Sequence, residues 1–282
     1  MTDNQRPRGE QQAALWSGSG AQGWVASQAL LDQVYGPFDD VLVDAALSRG
    51  PRAVLDVGCG TGSTTVAVAR RLGASGSATG VDVAPPMIEA ARARAEREGV
   101  EVCFVVGDAQ EHPFERERYD ALVSRFGVMF FDDPVRAFEN LRRGAKAGAT
   151  LSCVAWRSEA DNPFMTAAER AAAPLLPDLP PRRPDGPGQF AFADPDRVRQ
   201  ILVEGGWSAV DLRPLDVPCA MPEPALTGYL TRLGPVGRRL QHADDELRAR
   251  VLAAVRPAFD PYVDDGGFVR FTAACWLVTA RA

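Results

Sequence analysis

From about residue 50 to residue 157, short apolar runs alternate with stretches of helical spacing. Residues 53–57, AVLDV, form the first apolar run, and residues 64–72 read as a helix closed by Gly73. Residues 78–83 predict a second strand. Pro85 and Pro86 then open a helix, because proline suits a first helical turn. Met87 and the Ala-, Arg- and Glu-rich residues to 98 continue it, and Gly99 stops it. Residues 102–106 and 121–124 predict the next strands. Asp132 or Asp133 caps a helix that starts at Pro134 and runs to about Arg143, and a fifth strand covers 150–156. Strands separated by helices imply an α/β fold with an open, mostly parallel, doubly wound sheet.

On either side the rhythm changes. Residues 25–47 carry helical apolar spacing. After Arg157, residues 174–195 are dense in proline and glycine, a long connection of the kind that forms lids or binding loops. Asp194 and Pro195 start a helix over 196–204. A strand over 210–217, helices over 222–233 and 238–254, and a last strand over 268–279 complete the chain. The expected organisation is an N-terminal helical segment (1–48), a core (49–157), a lid or substrate segment (158–206), and a final part (207–282). That last part holds the remaining strands with substrate-side helices inserted at 222–258.

Charge and composition narrow the function. The 282 residues carry a net charge of −6, which disfavours nucleic acid as a partner. The basic clusters Arg142–Arg143 with Lys146, and Arg182–Arg183, read as solvated helix ends and loops. No apolar run reaches a membrane span, and the polar start MTDNQRPRGEQQ has no signal-peptide core, so a cytoplasmic protein is expected. The 5 cysteines are scattered without a C-x-x-C and read as buried free thiols. With 2 histidines, His112 and His242, no metal site is expected.

In such sheets ligands bind beyond the carboxyl ends of the strands. The first strand delivers Asp56 and a glycine turn, Gly58, Gly60 and Gly62. The second delivers Asp82, the third Asp108, and the fourth Ser124, Arg125 and Phe126. The first three ends carry carboxylates and no base, a poor seat for a pyrophosphate. S-adenosylmethionine (SAM) fits better. The glycine turn admits its methionine part and Asp82 accepts from both ribose hydroxyls. Asp108 accepts from the adenine amine, beside the Ala109 N–H, and Asp56 sits by the ammonium. A nicotinamide dinucleotide shares the ribose-binding acid. However, a dinucleotide loop wants a third glycine where this chain has Ser63.

The stretches VLDVGCGTG, GVDVAPPMIEAARARA, GDAQEHPF and YDALVSRFGVMFFDDPVRAFENLRRGAKAGATLSCVAW, in this order, resemble the class I SAM-dependent methyltransferases. The nearest branch is that of ubiquinone and menaquinone biosynthesis. The resemblance spans Trp16 to Arg157 and continues more weakly to the final WLVTARA. It implies a Rossmann-like seven-stranded sheet with the last strand antiparallel, N-terminal helices over the cofactor, and a helical lid insertion. It also implies residue roles. Gly58, Cys59, Gly60 and Thr61 lie beside the methionine moiety, and Val83 and Met87 flank the adenine. Asp108, Ala109 and Gln110 hold its polar edge. Ser124 and Phe126 lie by the methionyl chain and sulfur, and Trp16 and Trp24 belong to a segment folding over the cofactor. AKAGAT replaces the family's Pro-Gly-Gly turn, and His112 stands where an apolar residue is usual.

The expected activity is methyl transfer from SAM to a small, fairly apolar organic acceptor, quinone-like or a secondary metabolite, with O-, N- and C-methylation all open. A nicotinamide-dependent oxidoreductase and a SAM-binding protein without methyl transfer are the alternatives. No catalytic base is named. Cys59 reads as a small turn residue, His112 as a surface or adenine-adjacent side chain, His242 as part of a solvated helix face, and Arg125 as pairing with an acid. Residues 126–131, FGVMFF, read mostly as packing, with Phe126 and Met129 able to wall the substrate pocket. The acceptor is expected to meet the N-terminal segment, residues 158–193 and the helices around 222–258.

Overall fold

The computed structural model describes residues 19–182 and 186–282; Trp16 and Arg183 lie outside them. Two helices come first, α1 (Ser19–Ala26) and α2 (Gln28–Leu47), so the helical pattern expected over 25–47 is real but interrupted at Ser27. The core follows as β1 (Ala53–Val57), α3 (Ser63–Leu72), β2 (Ser77–Asp82), α4 (Pro85–Glu98), β3 (Cys103–Val106), β4 (Tyr119–Arg125), α5 (Pro134–Gly144) and β5 (Ala145–Trp156). The punctuation works as read. Pro85 opens α4 and left-handed Gly99 ends it. Asp133, rather than Asp132, caps α5, accepting from the Arg136 N–H at 3.0 Å.

The second half adds α6 (Pro163–Ala172), α7 (Pro195–Glu204), β6 (Ser208–Pro222), α8 (Leu226–Arg232), α9 (Gly234–Leu240), α10 (Asp245–Val255) and β7 (Phe268–Arg281). Here the boundaries shift. The helix expected over 238–254 breaks at 241–244, where Asp244 caps a new helix by accepting from the Leu247 N–H at 2.8 Å. His242 is therefore exposed in a turn rather than on a helix face. The helix expected over 222–233 ends at Arg232, and Gly234, in the left-handed region, starts the next one.

All seven strands form one sheet in the order β3-β2-β1-β4-β5-β7-β6. β1 to β5 pair in parallel, and β7 runs antiparallel between β5 and β6. This is the expected seven-stranded, doubly wound sheet. The order reverses at β1, whose neighbours are β2 and β4, and a ligand crevice opens at such a switch point. β1 is buried along its whole length, as a central parallel strand must be. AKAGAT joins β5, Ala145 pairing with Tyr119 and Lys146 meeting Asp120 at 2.8 Å, at the strand ends opposite the crevice. Cys103, on edge strand β3, is exposed; the other cysteines are buried, and all are free thiols.

One continuous apolar cluster runs from α2 (Val34, Phe38, Leu42) through the sheet (Leu55, Leu122, Val154) to α6 and α8–α10 (Phe164, Leu230, Val255). The second half thus packs on the core's own interior. Residues of the proline-rich connection dock too. Gly188 N–H donates to Met129 O at 3.0 Å, and Trp276 Nε1–H donates to Ala193 O at 3.1 Å.

Candidate active site

Strand register brings the chemistry together. Val57 pairs with Val81 and Asp82 with Val106, so β1, β2 and β3 end side by side. The chain leaving β1 turns back onto β2: the N–H groups of Gly58 and Cys59 both donate to Val81 O, at 2.8 and 3.0 Å. This fold needs bare backbone. Gly58 has φ +67°, and a Cβ there would lie 2.7 Å from Gly127 Cα. Gly58 and Gly127 therefore let the ends of β1 and β4 touch.

Asp82 organises the turn. Its Oδ2 accepts from the Gly60 N–H and its Oδ1 from the Ala84 N–H, both at 2.9 Å. Burial raises its pKa while these backbone donors oppose the rise. Each oxygen keeps a lone pair for a ribose hydroxyl. Asp108 accepts from the Gln110 N–H at 2.9 Å through Oδ1. Its Oδ2 and the Ala109 N–H have no protein partner among the described residues. That acceptor and donor pair suits the polar edge of an adenine. Met87 and Val83 line the same crevice, and Trp24, on α1, packs with Met87 above it.

Asp56 is 2% exposed, its Oδ2 accepting from Thr65 Oγ1–H at 2.6 Å. Burial pushes its pKa up to about 7, against the pull of Thr65 and Arg125. It also lines the crevice, where a ligand's ammonium would restore its charge.

Several side chains serve the frame instead. Ser124 is fully buried, donating to Val57 O at 2.7 Å and accepting from the Gly127 N–H at 3.1 Å. Its hydroxyl is spent on the β1–β4 junction. Gln110 Oε1 accepts from the Asp133 N–H at 2.9 Å, tying the third strand's loop to the head of α5. Cys59 lies so close above Gly80 that a Cβ there would meet its Sγ at 2.8 Å. Burial also raises its pKa, which suits a turn filler and no nucleophile. His112 packs edge-on to Phe114 at 4.8 Å, away from the crevice.

The structure adds residues the sequence reading missed. Asp39 on α2 is 7% exposed and accepts from Ser63 Oγ–H and Thr64 Oγ1–H, each at 2.5 Å, and from Arg125 Nη1 at 2.9 Å. Arg125 does pair with an acid. Asp39 thereby ties α2 to the side chains that open α3. Arg94 holds the glycine turn from below, donating to Thr61 O at 2.9 Å and to Asp32 at 2.5 Å. Asp32, Tyr35 and Asp39 recur at helical spacing along α2, a polar stripe in an apolar face. That pattern was the available signal.

The crevice is part of a cavity of about 1750 Å³, above the ~300–1,000 Å³ usual for one small ligand. Its far half is aromatic. Phe126 stacks on Trp156 (4.7 Å, 10°) and meets Tyr35 edge-on at 5.6 Å. Phe126 holds φ +63°, a strained conformation that its aromatic neighbours keep in place. Phe164, Tyr229, Phe259 and Met129 continue the wall, so Met129 and Phe126 do face the cavity. The Tyr229 hydroxyl donates to Met165 Sδ at 3.6 Å and lies close enough to the Tyr35 phenol for each to influence the other's ionisation. Burial raises both phenols, Tyr229 to about 12, so both stay protonated near neutral pH.

With the geometry in view, residues 54–148 match the family model described as a methyltransferase domain. The core of the chain is a class I SAM-dependent methyltransferase domain. A demethylmenaquinone methyltransferase of Thermus thermophilus is 37% identical over 109 residues, 39% of this chain and 49% of that protein. An uncharacterized protein of Mycobacterium tuberculosis is 32% identical over 154 residues, 54% of this chain and 55% of that one. The chain thus spans about half the length of the curated relatives it matches. Among solved structures, the YcgJ protein from Bacillus subtilis has a TM-score of 0.57 at 19% identity, over 87% of this chain and 98% of that one. A putative methyltransferase from Bacillus halodurans has the same score at 20% identity, covering 87% and 99%. These two share the fold. SAM is the cofactor of this domain class, and the carboxylates at the ends of β1–β3 fit it.

No described helix is long and apolar enough to cross a membrane, and no metal-binding cluster of His, Cys, Asp or Glu occurs among the described residues.

Proposed function

We propose that the protein is a cytoplasmic SAM-dependent methyltransferase acting on a small, fairly apolar organic acceptor. The carrying observation is the single cavity with two unlike halves, a carboxylate-lined crevice continuous with an aromatic chamber. Asp82 holds the ribose, while Asp108 and the Ala109 N–H read the adenine. Trp24, Val83 and Met87 enclose the ring, and Gly58 to Thr61 with Asp56 hold the methionine part. Gln110 supports the adenine loop. Residues 158–193 and α8–α10 wall the acceptor chamber.

SAM supplies a methyl carbon on a cationic sulfur, an excellent leaving group. The chain's own work is alignment and exclusion of water. Phe126 and Trp156 border the junction of the two halves and keep it dry. Tyr35 and Tyr229, held protonated, orient a polar group of the acceptor and do not remove its proton. Catalysis by positioning therefore accounts for the lack of a cavity-lining histidine among the described residues.

The test is transfer of labelled methyl from SAM into extracted small metabolites, alongside calorimetry with S-adenosylhomocysteine and NAD. Methyl incorporation and binding of S-adenosylhomocysteine alone are expected. NAD binding would reinstate an oxidoreductase. S-adenosylhomocysteine binding without methyl transfer to any metabolite would favour a SAM-binding protein of another role.

A further inference from the structure

Among the described residues, one cation that lines the acceptor chamber has no counter-ion. Arg182, Arg238 and Glu169 all line that chamber. Glu169 is committed to Arg182: Oε2 accepts from Nε at 3.1 Å and Oε1 from Nη2 at 2.5 Å, the forked geometry that guanidinium and carboxylate share. Glu159 adds a second carboxylate to Arg182 at 3.5 Å. Arg182 also lies 4.8 Å from the centre of the Phe190 ring.

Arg238 is different. It projects from α9, whose buried residues Val236, Gly237 and Leu240 lock the helix against the core. It is half-buried, yet among the described residues no carboxylate oxygen comes within 4.0 Å of it and no hydrogen bond satisfies it. Burial lowers its pKa, and the only opposing influence is Glu169, already bridged. A guanidinium stays charged at any physiological pH, and a desolvated charge is costly without a counter-ion. Lining an aromatic chamber, Arg238 offers a seat for an anionic group of a ligand.

We propose that the methyl acceptor is an apolar, ring-bearing monoanionic acid whose carboxylate is received by Arg238, with its body held by Phe164, Tyr229 and Phe259. This rests on the methyltransferase reading and sharpens it to a substrate class. A single unneutralised cation matches one negative charge. A phosphate monoester, close to a dianion, would find its second charge facing Glu169 and Glu159. Arg238 is thus assigned as a specificity residue.

The experiment uses three probes with one ring system: 2-naphthoate, 2-naphthylmethanol and 2-naphthyl phosphate. Each is titrated by calorimetry into the full chain saturated with S-adenosylhomocysteine. The wild type is expected to bind naphthoate at least about tenfold more tightly than the alcohol or the phosphate. R238Q should lose about tenfold or more for naphthoate and stay within about twofold for the alcohol, which also shows that the chamber is folded. R238K should recover part of the loss, and R239Q, outside the cavity lining, should behave as wild type. Equal losses for acid and alcohol, no loss at all, or undetectable naphthoate binding would overturn the proposal. A preference for the phosphate would overturn the monoanion assignment. Failure of S-adenosylhomocysteine to bind would instead strike at the methyltransferase reading, and the probe series can still be read on the apoprotein.

Discussion

The two halves of the cavity are built by opposite means. The cofactor half uses backbone: Asp82 anchors the N–H groups of Gly60 and Ala84, Asp108 anchors that of Gln110, and the Ala109 N–H is left open among the described residues. Its walls are consecutive residues at the ends of β1, β2 and β3. The acceptor half uses side chains alone. Tyr35, Trp156, Phe164, Tyr229, Arg238 and Phe259 come from six separate elements and meet only on folding. A backbone cradle accepts one ligand and tolerates little change. A side-chain chamber can be relined at each position without disturbing the sheet, so the same domain can serve different acceptors.

If this division is right, perturbing one half should leave the other readable. The largest expected effect is electrostatic. Asp56 is held near pKa 7 in the folded chain and near 3.8 when unfolded. The native state therefore binds the extra proton. The stabilising contribution is complete below about pH 3.8 and is lost as pH rises towards 7. The difference is on the order of 4 kcal/mol. Denaturant unfolding of the apoprotein between pH 4 and 7.5 should show Asp56→Asn lacking this decline. A parallel pH dependence in wild type and variant would remove Asp56 from the account. S-adenosylhomocysteine should also release protons on binding near pH 7, seen as buffer-dependent calorimetric heats.

Next, Asp82→Ala removes a carboxylate that two backbone donors share and that the proposed function assigns to the ribose; the expected cost is about 3 kcal/mol or roughly a hundredfold in affinity for S-adenosylhomocysteine. Binding of 2-naphthylmethanol in the far chamber should barely change. A matching loss there would show that the halves are one coupled unit. Tyr229→Phe deletes the chamber-lining hydroxyl that bonds Met165 and should cost about 1 kcal/mol in acceptor-side binding, with cofactor affinity unaltered. Smallest of all, His112→Ala should change methyl transfer less than about threefold, because its ring packs on Phe114 outside the cavity. A collapse of activity would return it to the mechanism.

The same division explains what could be read in advance. Asp56, Asp82 and Asp108 were legible because each sits at a strand end whose alternation with helices marks it locally. Ser124 has the same local signature, yet its hydroxyl faces the β1–β4 junction; only the neighbouring strand's carbonyl decides that. Asp39 lies 24 residues from the hydroxyl it binds, in an apolar helix face where an acid looks incidental. Arg238 stood inside a predicted helix that in fact breaks at Gln241, so its direction was unavailable.

By itself, then, the chain's pattern determined the doubly wound sheet, the glycine turn and the acids beside it, because periodicity and backbone chemistry act over a few residues. The tertiary structure alone decided that Asp39 binds the hydroxyls of Ser63 and Thr64, that Tyr35 and Tyr229 line one chamber, and that Arg238 lines it without a partner among the described residues. Those outcomes depend on which distant surfaces close on one another. Packing sets that choice, and no local stretch of sequence encodes it.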